Sequence, residues 1–277
     1  MGASPGWGSD GRSTHHTKCR IAASGGGRRE TRDGHLLISS DRIAAAVDGE
    51  LQRLGNAERA EKERAYLKST QRFYGTTLPQ IHAVTKAAWR EHGGFDHDTV
   101  IGVVRLLWAT GVFDCRMAAE DFLDLGSSML TPGDVPLIER MLREAGTWAL
   151  IDGLAAGPVG EIDRRRGIGD TIERWATDDD FWIRRSALLA HLGSVRRSEG
   201  DLGRFLRLAD GMLDEKEFFI RKAIGWVLRD AARTRPAEVT SWLEPRIARV
   251  SGVTIREAVK HLPAADRDRL MTDYRRR

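Results

Sequence analysis

The chain has 277 residues, 41% hydrophobic and 30% charged, with 44 Lys and Arg against 40 Asp and Glu for a formal net charge of +4. That length and apolar content suffice for one large core, and so small a net charge excludes a polycationic tail protein: affinity for a polyanion has to come from local clustering of bases. Cys19 and Cys115 stand far apart and outside any CxxC or Cys/His set, which excludes a disulfide framework and a zinc finger.

Residues 1–38 are rich in Gly, Ser, Thr and Arg and lack a sustained apolar period, so a disordered tail is expected there. His15, His16 and Cys19 in this tail do not make a metal site, and no metal is expected. Gly25-Gly26-Gly27-Arg28-Arg29 lacks the Gly-Lys-Ser/Thr ending and the preceding strand of a phosphate loop. From Ser39-Ser40-Asp41 the pattern turns helical, with Ile43, Val47 and Leu51 at spacing four. Helices are predicted at about 41–55, 57–72, 79–92, 97–110, 114–126, 133–144, 147–156, 168–176, 180–193, 201–213, 217–233, 237–249 and 253–260, and strand signals are almost absent. Residues 39–265 are read as one domain, and residues 266–277 as a basic C-terminal tail. No apolar run approaches the ~18 residues needed to span a bilayer, and the N-terminus lacks the hydrophobic segment of a secretion signal. The chain is therefore expected to be cytoplasmic, with no membrane partner.

A short phrase recurs: Cys115-Arg116-Met117-Ala118, Ile183-Arg184-Arg185-Ser186, Ile220-Arg221-Lys222-Ala223 and Ile255-Arg256-Glu257-Ala258, at offsets of 68, 37 and 35 residues. A period of about 35 to 45 residues with helices between copies is that of stacked helix pairs, each burying its apolar face against its neighbours. The expected fold is an all-α, right-handed superhelical solenoid of such pairs with a concave basic groove. Arginines at equivalent positions of successive copies would build a row of positive charge suited to an extended polyanion.

Four residues could carry chemistry on this scaffold. Trp148 and Asp152, four apart, share a helix face, an indole beside a carboxylate, while Leu150, Ile151 and Leu154 supply another, apolar face. Arg185 and Trp226 interleave base and aromatic in the later copies, a mixture that neutralises phosphates and offers ring faces to bases. Each has a plainer account: a core tryptophan, a solvated acid, a packed helix seam. Gly225 costs ~1 kcal/mol inside a helix relative to Ala, which points to close approach by a neighbouring helix or a ligand backbone.

Glu217 to Arg229, Trp182-Ile183-Arg184-Arg185, Arg256 to His261, Leu106-Leu107-Trp108, the Trp148 to Asp152 segment, and Tyr66 with Phe73 to Pro79 together resemble the AlkD-type bacterial DNA alkylation repair glycosylases, built from HEAT-like repeats, over about residues 41–265. The resemblance implies a groove that holds duplex DNA, with Trp148, Asp152 and Trp226 around the damaged nucleotide as the catalytic set. It implies DNA contacts by Arg185 and Tyr66, with Thr77 standing where a glutamine is found in the family; Lys222 is read as a further DNA contact. Asp114 replaces the family's glutamate, a shorter acid that alters a structural hydrogen bond. The implied activity is hydrolysis of the N-glycosidic bond of cationic alkylated purines such as 3-methyladenine and 7-methylguanine in double-stranded DNA, initiating base excision repair by a monomer without a cofactor. Two other readings stand beside it: a non-catalytic protein that binds distorted or branched DNA, and a protein-interaction scaffold. A metal-dependent hydroxylase is disfavoured because the paired His-Glu dipeptides it needs are absent.

Overall fold

The computed structural model describes residues 29–30, 36–37 and 39–277. The chain divides into two units, residues 1–37 and 38–277. In the first, the described residues are two strands, β1 (Arg29–Glu30) and β2 (Leu36–Leu37), paired antiparallel. The expected disordered tail therefore meets a short ladder at these four residues and otherwise falls outside the described residues, as do His15, His16 and Cys19.

The described part of the second unit is all-α. Its helices are α1 (Ser40–Leu54), α2 (Ala57–Leu67), α3 (Leu78–His92), α4 (His97–Ala109), α5 (Phe113–Leu125), α6 (Val135–Ala145), α7 (Trp148–Leu154) and α8 (Gly160–Arg166). They continue as α9 (Gly169–Trp175), α10 (Phe181–Leu189), α11 (Leu192–Arg196), α12 (Leu202–Gly211), α13 (Phe218–Ala231), α14 (Pro236–Leu243), α15 (Gly252–Ala258) and α16 (Ala264–Arg276). Starts follow side-chain caps: Asn56, Asp96, Asp180, Asp201 and Ser251 each accept a hydrogen bond from a backbone N–H of the first turn.

Three differences from the predicted elements have local causes. Helix α2 stops at Leu67, with Lys68 in the left-handed region (φ 50°), because the following strand-like stretch is held elsewhere: Asp114 accepts from the Tyr74 and Thr76 amides at 2.9 and 2.8 Å. Helix α14 ends at Leu243, since Pro245 has no N–H to continue it, and a 3-10 turn follows over Glu244–Arg246. Residues 266–276, read as part of a tail, belong instead to α16, whose Leu270 is buried, and Arg277, just after it, donates to the carbonyls of Ile247, Ala248 and Val250.

The helices carrying the recurring phrase, with α7 between the first two, stack in order, α5 on α7, α7 on α10, α10 on α13 and α13 on α15, while α4, α6, α9 and α14 pack on α5, α7, α10 and α13. The sequence period reappears in the polar contacts between neighbours. Glu144 accepts from Trp108 Nε1, Glu139 from Trp175 Nε1, Asp210 from Arg246 and Asp214 from Arg249, across 35 or 36 residues each. Each copy is thus tied to the next, as a quasi-one-dimensional fold requires.

Gly225 marks a close approach at the seam between α13 and α15. A Cβ there would lie 2.9 Å from the Thr254 carbonyl oxygen and 2.8 Å from Glu257 Cβ, both on α15. Gly225→Ala is accordingly expected to push α13 and α15 apart and cost about 1–3 kcal/mol despite the better helix propensity of alanine, read as a melting temperature several degrees lower. An unchanged melting temperature would show that the seam gives way freely.

Candidate active site

Helix α7 is aimed by its ends. Gly146 (φ 61°) stops α6 in the left-handed conformation, Thr147 is extended, and Trp148 becomes the first residue of α7, which places Asp152 one turn further on the same side. Leu150, Ile151 and Leu154 bury the opposite face. Beyond Leu154 the helix widens to a π-turn over Ala155–Val159, where Pro158 has no N–H to donate back to the preceding turn.

Trp148 is half-buried, and its indole meets the exposed Tyr66 ring edge to face at 6.2 Å. One turn along, Asp152 receives both arms of Arg185 from α10, Nε and Nη2 each at 2.8 Å from a different carboxylate oxygen. Arg185 also donates from Nη1 to the Phe219 carbonyl, and its guanidinium lies 5.7 Å from the Phe219 ring. Phe219 in turn contacts Trp182 at 4.8 Å and Phe218 at 5.4 Å, and Trp182 contacts Phe181 at 4.4 Å. A line of aromatic side chains from α10 and α13 therefore continues from the ion pair, and Phe218 at its end is exposed.

Burial pushes the Asp152 carboxyl above the usual aspartate range, and Arg185 opposes this by charge and by its paired hydrogen bonds. The side chain retains 15% of its accessibility, against 3% for Arg185. Asp152 is thus the more accessible member of the pair, and its carboxylate oxygens have lone pairs beyond those that Arg185 uses.

Behind α7 stands an unusual partner. Gly153, next to Asp152, faces Glu120 of α5 so closely that any Cβ would overlap its carboxyl, and Gly157 faces Asp124 in the same way. Glu120 is buried and its Oε2 has no hydrogen-bond partner. Burial, and then the nearby carboxylates of Asp124, Asp121 and Asp152, hold its pKa well above the ordinary glutamate value. The native state keeps a proton that the unfolded chain releases in the ordinary carboxylate range, so this group's contribution to stability falls as pH rises above that range. Glu120→Gln is expected to remove the loss: its melting temperature relative to wild type should be higher at pH about 8 than at pH about 4. A difference that does not change with pH would place the proton elsewhere.

The other expected site residues are more dispersed. No ring contact, hydrogen bond or ion pair joins Trp226 to Trp148 or Asp152 among the described residues; its ring is flanked instead by Arg196 and Arg229 at 5.8 and 5.9 Å, and its buried Nε1 has no partner. Thr77 serves as the cap of α3 in a reciprocal capping box with Gln80, a duty that occupies its hydroxyl. Lys222 stays partly exposed and reaches Glu257 at 3.4 Å. Arg185, expected on phosphates, is 2% exposed here, with Nε and Nη2 directed to the Asp152 carboxylate and Nη1 to the Phe219 carbonyl. The expected row of positive charge is reduced at Arg184, which is paired with Glu215 and held by the carbonyls of Asp178 and Asp179, while Arg221 donates to the Glu215 carbonyl and keeps an uncompensated charge.

The fold and this site define an all-α repeat protein built around one buried ion pair whose carboxylate opens beside aromatic rings. The family described as DNA alkylation repair enzyme matches residues 47–262, and the chain belongs to it. Among solved structures the chain is similar to a predicted DNA alkylation repair enzyme from Enterococcus faecalis, with 21% identity over 76% of this chain and 97% of that one and a TM-score of 0.66. It is also similar to AlkD2 from Streptococcus mutans, with 14% identity over 82% of this chain and all of that one and a TM-score of 0.57. These likenesses extend to the fold. No curated protein matches the chain significantly.

Proposed function

We propose that this protein is a monofunctional DNA glycosylase that releases cationic alkylated purines, such as 3-methyladenine and 7-methylguanine, from duplex DNA. The observation that carries the reading is the Asp152 carboxylate, oriented by two hydrogen bonds from Arg185 and set one helical turn from a half-buried indole. Alkylation at N3 or N7 puts positive charge on the purine and makes it a good leaving group, so the barrier is reached with an oxocarbenium-like sugar and little need for a general acid. A carboxylate fixed in place before the reaction stabilises that sugar charge and positions the attacking water. The faces of Trp148 and Tyr66 favour a cationic nucleotide by cation-π attraction worth ~0.5 to 2 kcal/mol each. Trp226, already flanked by two arginines, is better suited to the DNA backbone side of such a complex than to a second cation.

A binding-only role on distorted DNA draws on one observation: both Asp152 oxygens accept from Arg185, as they would in a purely structural pair. Release of 7-methylguanine from methylated duplex DNA by the purified protein separates the two. Single-turnover release above the uncatalysed rate supports the glycosylase, and binding without release supports the alternative.

A further inference from the structure

From Arg184 on, the repeating arginine has fewer partners in each successive copy. Arg184 pairs with Glu215 of the following repeat at 2.8 Å, and Arg221 is held by the Glu215 carbonyl at 2.6 Å. Arg256 occupies the same place in the phrase, but α16 stands where the next repeat would be, and Arg256 is exposed with no acidic partner among the described residues. Between it and α16 lies an open groove of about 660 Å³ lined by four bases, Arg256, Lys260, Arg267 and Arg275, and one acid, Asp268. Asp268 is already paired with Arg267 at 2.9 Å, and Lys260 with Glu257 at 2.9 Å. Arg275 is exposed and, like Arg256, without a partner among the described residues. The groove thus holds two uncompensated positive charges, and α16 as a whole, with Arg277, carries five arginines against three aspartates.

We propose that this groove is a phosphate-binding surface that grips the DNA backbone to one side of the damaged nucleotide, an inference that rests on the function proposed above. Continuity supports it. Lys222 of α13 and Lys260 share the Glu257 carboxylate, so the groove wall is joined by hydrogen bonds to the helix row that starts at Asp152. Four helix-to-helix steps, α7 to α10, α13, α15 and α16, at ~8–10 Å each span about 30 to 40 Å. At ~3.4 Å per base pair this is about ten base pairs, or one turn of the duplex. The groove has the character of a backbone contact: shallow, cationic, with guanidinium forks and no enclosed space for a base. Arg256 and Lys260 lie within residues 47–262, and α16, which forms the far wall, follows that range.

The test uses the full chain. Arg256→Gln/Arg275→Gln removes two exposed, unpartnered charges, and Arg42→Gln/Arg105→Gln removes two exposed charges on α1 and α4 as a control. With a duplex of about 30 base pairs carrying a central 7-methylguanine, the groove variant is expected to lower the slope of log affinity against log salt by about 2 and to weaken low-salt binding on the order of 10-fold, and the control to do neither. Hydroxyl-radical protection about ten nucleotides from the lesion should disappear in the groove variant alone, while base release at saturating enzyme stays at the wild-type rate. Equal slopes for wild type and groove variant, or an equal drop in the control, would overturn the proposal. If wild type releases no base yet the groove variant loses slope and flanking protection, the groove stands and the glycosylase reading falls; if wild type binds no duplex, both fall.

Discussion

Asp152→Asn is expected to lower single-turnover release of 7-methylguanine by about 10²- to 10³-fold, the loss typical of removing one preorganised group that meets transition-state charge. It should also cost stability. Arg185 is nearly inaccessible, and an amide in place of the carboxylate leaves a buried guanidinium without its counter-charge, which is worth about 3–5 kcal/mol when a buried pair is broken from one side. A slower enzyme alone therefore does not prove catalysis by Asp152. The discriminating protein is Asp152→Asn/Arg185→Met, in which no buried charge remains: it should recover most of the lost melting temperature without recovering activity. If activity returns with stability, Asp152 is a structural residue and the catalytic role belongs elsewhere.

Arg185→Ala should lower stability at least as far as Asp152→Asn does. It strands Asp152 in a setting that already disfavours its charge and removes the donor to the Phe219 carbonyl, so about 3–5 kcal/mol, or on the order of 10 °C in melting temperature, is expected. Asp152 will then take up a proton more readily, and any residual activity should shift its acid limb to higher pH, because the carboxylate has lost the cation that opposes its burial. The salt slope for duplex binding should stay close to wild type, since this arginine is nearly inaccessible to a phosphate. A reduced slope with an unchanged melting temperature would mean that Arg185 leaves Asp152 when DNA binds.

The ion pair behind both expected results is a relation that no local pattern contains. Trp148 and Asp152 on one helix face follow from their spacing, as do the recurring phrase, the Asp and Ser caps, and the break at Gly146, because each depends on residues within a turn or two of one another. Gly225 is legible in the same way: a costly glycine inside a helix announces a close approach, and the neighbour proves to be α15. The pairing of Asp152 with Arg185, 33 residues apart, is decided by how α7 and α10 stack. Periodicity gives Arg185 its place in the recurring phrase but cannot say whether an arginine there faces solvent or reaches sideways to an acid. The same limit hid the buried Glu120 behind Gly153, the aromatic line from Trp182 to Phe218, and the capping role of Thr77.

The amino-acid sequence by itself determined that the chain is helical, that its helices repeat and stack, and that Trp148 lies beside Asp152, since helical period, capping and repeat spacing are properties of neighbours along the chain. Only the tertiary structure decided which charges are spent. Arg184 and Arg185 are paired with acids and held by carbonyls between 5 and 34 residues away, Arg221 is held by a carbonyl alone, and Arg256, at the end of the row, finds α16 in place of a further repeat and has no partner among the described residues. The physical reason is that a guanidinium's role is set by the acid or carbonyl within about 3 Å of it, and in a stacked repeat that neighbour often comes from a different copy.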